Sequence, residues 1–370
     1  MLVPSKPQIL LSSLSYEPAT QPKSRWREST FYPSGRDALA AALSHFSLSV
    51  GANVILPAFI CRSVSDRLKF LGYKPYFIDS SIDSPFPTSE ALGQACFGKE
   101  AEILLLVDLF GFFPEGRLDA VKSARESGCF VVEDRCHSAL TVPSEEVADA
   151  VIYSIRKSIP CPDGGALWLA KKRKTCFESS GSLLSFLHSI PYVLKMELEK
   201  LVCWFGWPNI YAESLTSARE TISAANLDSE GLSPRAWSSD LPSWVLSQQL
   251  KKAIFLDYIA QQRRLNYRCI SEGLDGIKPL LKLQDGTVPQ VFPILDRSGQ
   301  LKNYLRDHGV GAYCWPGNEL PAYVSNNRER FPNTIRWNHD IVCLPVHQSL
   351  NIRHIERMVK LVKNFFAAGR

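Results

Sequence analysis

VVEDRCHSAL, which begins at Val131, and AVIYSIRK, which begins at Ala150, are two short apolar runs that each lead into polar residues. Runs of strand length that are rich in β-branched and aliphatic residues predict buried strands of a parallel sheet. We expect the first strand to cover residues 129–133, with Asp134 directly after it, and the second to end at Ser154. Ligands of such sheets bind beyond the carboxyl ends of the strands. This stretch is therefore the candidate ligand-binding edge.

The same alternation of apolar runs and helical patterns extends outward over residues 34–170, without an internal repeat. We predict further strands at 53–56, 74–78, 103–107 and 165–169, and helices at 35–48, 62–71 and 118–127. Apolar runs that alternate with helical segments are typical of a wound α/β fold. The sequence therefore predicts an α/β fold whose large unit contains a mostly parallel central sheet.

A second unit is predicted after residue 235, because a chain of 370 residues exceeds the usual size of a single core. Residues 178–235 are first helical and then loop-rich. From 236 to 370 we predict a linking helix at 243–272, strands at 290–295 and 310–314, and helices at 300–308 and 352–366. The predicted organisation is a large lobe at 1–235 and a smaller C-terminal α/β lobe at 236–370.

Composition excludes several classes of protein. Hydrophobic residues at 45% and charged residues at 21% are typical of a globular enzyme, and the net charge of +5 comes from scattered basic residues with one dense run at 171–174. We therefore expect no nucleic-acid partner. Charged residues interrupt the most apolar region, 183–207, so we expect no membrane insertion. The ten cysteines form no CxxC pair, which predicts reduced thiols, no metal site and a cytoplasmic location.

The candidate edge offers the groups that pyridoxal 5'-phosphate requires, which are an amine, a carboxylate for the ring nitrogen, and donors for the phosphate. Lys157 could supply the amine, Asp134 the carboxylate and Ser154 a donor. Gly35, at a loop-to-helix junction, could bring a positive helix end to the same phosphate.

Each of these residues also has an ordinary structural interpretation. Most lysines are solvated, an aspartate after a strand is commonly a turn former, Ser154 could cap a helix, and Gly35 could be a turn residue. Taken singly, the ordinary interpretation is the more frequent one for every residue. Their occurrence together in one order along the chain is what favours the cofactor site.

The ordered segments SGRDAL, ILPAFICRS, VDLFGFFPE, VVEDRCHSAL, SIRKSIPCPDGGALW and CLPVHQSL resemble the DegT/DnrJ/StrS family of sugar aminotransferases. The resemblance runs through most of the chain. It implies an aspartate-aminotransferase-like fold (pyridoxal-phosphate fold type I) and usually a homodimer. The implied activity is transfer of an amino group, usually from glutamate, to a keto group of a nucleotide-linked sugar. The implied biological role is in surface polysaccharide or amino-sugar biosynthesis.

The resemblance also assigns roles to individual residues. Asp134 corresponds to the family's partner for the ring nitrogen, and His137 to its Gln or His beside the ring and its phenolic oxygen. Lys157 corresponds to the lysine that bonds covalently to the cofactor, at the family's own distance from Gly164 and Gly165. Judged without the motif, His137 is as well explained as a hydrogen-bonded core histidine.

Three positions depart from the family pattern. Arg36 follows Gly35 where a threonine is usual, and it could donate to the phosphate or point to solvent. Cys61 occupies the position that often carries a ring-stacking aromatic, with Phe59 nearby. The segment 233–237, Ser-Pro-Arg-Ala-Trp, stands where typical members supply a partner subunit's asparagine; Ser233 or Arg235 could serve instead.

These departures keep a second function open, in which the chain is a catalytically silent relative that binds a nucleotide sugar or pairs with an active homologue. The substrate pocket is also open. We expect Tyr313, Trp315 and His347 to shape it, although the two aromatic residues could equally belong to the core.

Overall fold

The computed structural model describes residues 2–7, 29–99, 101–161, 164–170 and 253–368, together with Leu194, Leu198 and Leu201. The proposed lobe boundary at 235/236 lies outside the described residues and stays a prediction. The same is true of the basic run 171–174, of most of the apolar region 183–207, and of the segment 233–237.

Seven strands form the large sheet: β1 (Thr30–Tyr32), β2 (Asn53–Pro57), β3 (Lys74–Ile78), β4 (Ile103–Val107), β5 (Phe130–Asp134), β6 (Ala150–Ser154) and β7 (Gly165–Leu169). Four helices lie between its strands: α1 (Gly35–His45), α2 (Arg62–Phe70), α3 (Ser89–Gly98) and α4 (Arg117–Glu126). A short 3₁₀ turn, Ile155–Lys157, follows β6 directly.

The strand order is β1-β7-β6-β5-β4-β2-β3, with β6, β5, β4, β2 and β3 parallel and with β7 and β1 antiparallel to their neighbours. The predicted fold class, α/β with a mostly parallel central sheet, is confirmed. One apolar cluster packs on each face of this sheet. Because β4, β5 and β6 are parallel and in register, their carboxyl ends meet at one edge.

Strand β5 directs two neighbouring carboxylates to opposite faces, because side chains alternate along a strand. Glu133 is fully buried and accepts hydrogen bonds from Arg117 (2.5 Å) and Arg135. Glu146 accepts from the same Arg135 at 2.7 Å. Buried charges require such pairing. Asp134, on the other face, is left available to the edge of the sheet.

Helix α1 begins in close contact with β7. A Cβ at Gly165 would lie 2.1 Å from the carbonyl oxygen of Ser34 and 3.0 Å from the backbone nitrogen of Gly35. Only glycine permits this approach, because β-carbons do not come so near to backbone atoms. Ser34 caps the helix, since its hydroxyl accepts from the backbone N–H of Asp37. The absent side chain at 165 therefore fixes where α1 starts.

The rest of the described chain contains α5 (Ala253–Gly273) and a two-stranded antiparallel sheet of β8 (Val291–Leu295) and β9 (Ile341–Pro345). Around them lie α6 (Leu301–Asp307), α7 (Ala322–Asn326), α8 (Pro332–Asp340) and α9 (Ile352–Ala368). A second 3₁₀ turn spans Gly317–Glu319.

The predicted strand at 310–314 is wrong. Val310 and Tyr313 each form an isolated bridge, to Val3 and Cys343 respectively. Between them the backbone N–H of Ala312 donates to the carbonyl of Val310, which bends the chain. A bend of this kind cannot continue a ladder in either direction.

Several predicted boundaries also shift. The first helix ends at His45 rather than at 48, because Ser47 adopts a positive φ of 52° that a helix cannot contain. Asp134 is the last residue of β5 rather than the residue after it. The strands at 74–78, 103–107, 150–154 and 165–169 are confirmed with their predicted limits.

Residues 2–7 pack against the C-terminal part of the chain. Val3 is fully buried, and its backbone exchanges hydrogen bonds with Gly309 and Gly311. The imidazole Nε2 of His347 lies 2.9 Å from the carbonyl oxygen of Pro4. Residues 3 and 4 are thus held against the C-terminal part of the chain by backbone hydrogen bonds and by the side chain of His347.

Within the described ranges, no helix combines the length and the apolar character that crossing a bilayer requires.

Gly165→Ala tests the contact between β7 and α1. We expect it to lower the free energy of unfolding by about 1–3 kcal/mol, because the new methyl group must displace the Ser34 carbonyl. Urea denaturation of the purified variant measures this loss.

Gly98→Ala is the matched control, since no heavy atom lies within 4 Å of the position of its Cβ. This change within α3 should leave the stability equal or raise it by about 0.4–1 kcal/mol. Equal unfolding midpoints for the two variants would contradict the close contact at Gly165.

Candidate active site

A cavity of about 700 Å³ opens at the carboxyl ends of β4, β5 and β6. Its wall consists of the N-terminus of α1, the first turns of α2, the 3₁₀ turn after β6 and the segment 315–319. Parallel sheets bind their ligands at this edge. The cavity is therefore the candidate active site.

All seven sequence-predicted site residues line this cavity: Gly35, Arg36, Cys61, Asp134, His137, Ser154 and Lys157. They come from four separate segments of the chain. The parallel strands bring them together, because each segment follows or precedes a strand that ends at the same edge of the sheet.

Asp134 is buried at the end of β5, and its Oδ1 accepts a hydrogen bond of 3.0 Å from the backbone N–H of Cys136. The carboxylate thus forms a turn and lines the cavity as well. Burial, followed by the charge of Asp134, raises the pKa of the Cys136 thiol well above its ordinary value. The thiol is therefore neutral.

Lys157 and Arg36 are two half-buried cations of the cavity wall, and neither has a hydrogen-bond or ion-pair partner among the described residues.

The loop after Lys157 is held in place by side chains from the C-terminal part of the chain. Arg263 of α5 donates to the carbonyl of Ser158 at 3.1 Å, and Gln348 donates to the same oxygen at 3.2 Å. Burial lowers the pKa of Arg263 to about 10, which leaves it charged at neutral pH.

The N-terminus of α1 forms one end of the cavity. Gly35 lies against Cys136, whose Sγ would be 2.8 Å from a Cβ at this position. The Ser154 hydroxyl makes no hydrogen bond within the described part of the chain, and the side chain does not cap the 3₁₀ turn that follows it. Free N–H groups, a positive helix end and a hydroxyl therefore face one ligand volume.

His137 is buried and neutral. The backbone N–H of Phe110 donates to its Nδ1 at 3.3 Å, so that the ring proton is on Nε2. Burial, and then the charge of Lys157, lowers the pKa of His137 well below its ordinary value. The residue is a packed core histidine and also a donor-bearing part of the cavity wall.

Cys61 stands at the N-cap of α2, and its Sγ lies 3.2 Å from the hydroxyl of Ser63 and from Oε2 of Glu319. Burial raises the pKa of this thiol, so Cys61 is a small neutral residue of the wall.

Trp315 is the large aromatic residue that lines the cavity. Its ring meets that of His137 edge to face at 4.6 Å, with Phe59 behind it at 5.4 Å.

Two of the three residues that we expected to shape the substrate pocket lie elsewhere. Tyr313 and His347 do not line the cavity. His347 is buried against Pro4, and burial lowers its pKa to about 3. Trp315 alone of the three lies at the candidate site.

Sequence reasoning missed several polar residues of the wall, among them Asp108, Arg67 and Glu319. Asp108 follows the buried strand β4 directly, in the segment VDLFGFFPE, so its position carried the same signal as that of Asp134. Arg67 and Glu319 carried none, because they reach the cavity only through the packing of α2 and the turn Gly317–Glu319.

This set of groups fits pyridoxal phosphate. Asp134 matches the ring nitrogen, Lys157 the aldehyde, and the start of α1 with Arg36 and Ser154 the phosphate. The two unpartnered cations match the negative charge of such a ligand, which a cavity of this kind must neutralise.

Many solved structures have a similar fold at low sequence identity, and three of them serve as examples. PseC from Helicobacter pylori has a TM-score of 0.68 and 15% identity, with 99% of each chain covered. DesV from S. venezuelae has a TM-score of 0.63 and 18% identity, covering 92% of this chain and 86% of its own. NtdA from Bacillus subtilis has a TM-score of 0.64 and 15% identity, covering 91% and 72%. These likenesses establish the fold.

A comparison with curated proteins finds no match. The family comparison does find one, and its two matched segments, 23–173 and 238–363, include every residue of the cavity wall. The predicted fold type I and the predicted enzyme class, a pyridoxal-phosphate-dependent aminotransferase, are confirmed at the level of the family. The chain belongs to the DegT/DnrJ/EryC1/StrS aminotransferase family.

Proposed function

We propose that the protein transfers an amino group from glutamate to a keto group of a nucleotide-linked sugar, with pyridoxal phosphate held in the cavity at the ends of β4, β5 and β6. One observation carries this proposal. The unpartnered amine of Lys157 and the buried carboxylate of Asp134 line the same cavity, and the N-terminus of α1 closes it.

The phosphate-binding end would consist of the first turn of α1, the Ser154 hydroxyl and the Arg36 guanidinium. Helix N-termini bind phosphate because their N–H groups are free and the helix dipole favours negative charge. Arg36 supplies a charged donor where the family usually has a hydroxyl. Among the described residues no carboxylate neutralises it, so its donors remain available.

When bound, the cofactor supplies an aldehyde that takes up the amino group and a ring that accepts electrons. Asp134 would hold the ring nitrogen in its protonated form, and His137 would offer its Nε2–H to the ring oxygen. Lys157 would be the residue that binds the aldehyde, and its Nζ would be the base for the proton on the Cα of the amino donor. Trp315 presents its ring as an apolar wall in place of an aromatic residue at position 61.

A sugar substrate is supported by the family and by the cavity volume of about 700 Å³, which exceeds what the cofactor alone needs. PseC is described as an aminotransferase involved in the biosynthesis of pseudoaminic acid. We infer a comparable substrate class here, a keto sugar on a nucleotide carrier, and a role in surface polysaccharide or amino-sugar biosynthesis. We also propose a homodimer in the cytoplasm, with residues near 233–237 completing the neighbouring site.

Lys157→Ala removes the amine proposed for the covalent bond. We expect the wild-type protein to develop the absorption band of lysine-bound cofactor after addition of pyridoxal phosphate, and the variant to show only free cofactor. Absorbance spectra after gel filtration measure this. Lys122→Ala is the control, because Lys122 is exposed on α4. An unchanged band in Lys157→Ala would refute the assignment.

Asp134→Asn removes the charge opposite the ring nitrogen and keeps the shape. We expect the variant to bind the cofactor and lose most of its turnover, because an amide cannot hold the ring nitrogen protonated. Cofactor titration and single-turnover kinetics with glutamate separate the two effects. Near-normal turnover would rule out this role for Asp134.

A panel of nucleotide-linked 3-keto and 4-keto sugars tests the activity itself, with glutamate as donor and 2-oxoglutarate as the measured product. We expect a glutamate-dependent change in the cofactor spectrum and product formation with at least one sugar. Cofactor and sugar binding without any spectral change would instead support the silent, sugar-binding alternative.

A further inference from the structure

Glu319 is an acidic residue of the cavity wall that comes from the C-terminal part of the chain. It ends the 3₁₀ turn Gly317–Glu319, and its backbone N–H donates to the carbonyl of Pro316 at 3.1 Å. The residue lines the cavity and is exposed, so a ligand can reach its carboxylate. The polar groups assigned to the cofactor come instead from residues 35–157.

The contacts of the segment 315–319 place it beside the proposed ring position. At one end, the ring of Trp315 meets that of His137 at 4.6 Å, and His137 is the residue assigned to the ring oxygen. At the other end, Oε2 of Glu319 lies 3.2 Å from the Sγ of Cys61, the position at which the family often has a ring-stacking aromatic. The segment therefore borders the space assigned to the cofactor ring.

The carboxylate of Glu319 has hydrogen-bonding capacity that the protein leaves unused. Because the thiol of Cys61 is neutral, it donates to Oε2 and cancels no charge. Within the described ranges, Oε1 has no hydrogen-bond partner and Glu319 forms no ion pair. An S–H group is a weak donor. The carboxylate therefore remains able to accept hydrogen bonds from a ligand.

The chemistry of the three ligands decides which of them this carboxylate fits. The cofactor already has Asp134 for its ring nitrogen, and a second carboxylate would repel its phosphate. Glutamate, the proposed amino donor, carries two carboxylates of its own, which Glu319 would also repel. A sugar presents hydroxyl groups, which are neutral donors that form strong hydrogen bonds to a carboxylate. Glu319 therefore fits the sugar.

We propose that Glu319 is a specificity-determining residue whose carboxylate accepts hydrogen bonds from hydroxyl groups of the sugar ring. The inference rests on the proposed function. Trp315 offers an apolar surface to the C–H groups of the same sugar, and Asn318, which also lines the cavity, adds an amide. One short segment thus supplies an acceptor, an amide and an aromatic surface, which fix the orientation of a ligand in a pocket.

Glu319→Ala removes the acceptor, and the two halves of the reaction separate its effects. We expect the glutamate-dependent change in the cofactor spectrum to keep its rate within about threefold of the wild type, with an unchanged Kd for the cofactor. For the keto sugar of the panel that the wild type aminates, kcat/KM should fall about tenfold or more, which corresponds to one lost hydrogen bond to a charged group.

Glu329→Ala is the matched control, because Glu329 is exposed on the 3₁₀ turn Arg328–Arg330 and does not line the cavity. Both halves of its reaction should match those of the wild type. Thermal unfolding of both variants identifies effects that come only from folding.

Deoxygenated sugars identify the hydroxyl group that Glu319 meets. Among analogues of the accepted sugar that each lack one ring hydroxyl, we expect one for which the wild type loses about tenfold in kcat/KM. Glu319→Ala should lose less than about twofold with the same analogue, because the group that the hydroxyl met is already absent. A merely structural role of Glu319 would leave the ratio between sugar and analogue equal in the two proteins.

Three results would overturn the assignment. In the first, kcat/KM of Glu319→Ala for the accepted sugar stays within about threefold of the wild type. In the second, cofactor affinity or the reaction with glutamate falls as far as the reaction with the sugar, so that the carboxylate serves another ligand. In the third, no analogue distinguishes the variant from the wild type.

Calorimetry keeps the inference testable if the wild type aminates no sugar of the panel. We expect Glu319→Ala to bind UDP-glucose or dTDP-glucose about tenfold more weakly than the wild type, and to bind UDP and dTDP with unchanged affinity. Equal losses for both kinds of ligand, or no loss for either, contradict the inference. A wild type without any glutamate-dependent spectral change would refute the proposed function instead.

Discussion

The carbonyl of Ser34 occupies the space in which any residue other than glycine would carry a side chain at position 165. This contact joins the first helix of the large sheet to a strand that follows it by 130 positions in the sequence. Since α1 can start nowhere else, its free N–H groups face the ends of β5 and β6. The phosphate-binding end, the amine and the carboxylates of the proposed site all depend on this placement.

The two faces of β5 carry charged groups with different roles, one structural and one available to a ligand. On one face of β5, Glu133 binds two guanidiniums in a closed network with Glu146, and Phe113 packs against both guanidiniums at about 5.3 and 5.4 Å. On the other face, Asp134 stays available to a ligand. A shift of one residue in strand register would exchange these roles, because successive side chains point in opposite directions. The buried network thereby protects the register on which the cavity depends.

Apolar runs predicted the sheet well, since a strand buried on both faces has a distinct composition. They predicted a mostly parallel sheet but not the order of its strands, so the antiparallel orientation of β7 and the presence of β1 came only from the structure. The run at 310–314 resembles a strand but bends, because its partners Val3 and Cys343 lie on different elements. The order and spacing of motifs along the chain located Lys157, Asp134 and His137. Trp315 was expected at the substrate pocket, but the positions of Arg67 and Glu319 in the cavity wall could not be predicted, because they result from tertiary packing.

Val3 and Pro4 find their partners in the last quarter of the chain, and the hydrogen bond between Pro4 and His347 spans 343 positions. A Cβ at Gly311 would lie 2.4 Å from the backbone nitrogen of Ser5, so this docking is as tight as that of α1. During translation, residues 3 to 5 therefore have no binding surface until the chain as far as His347 has been synthesised.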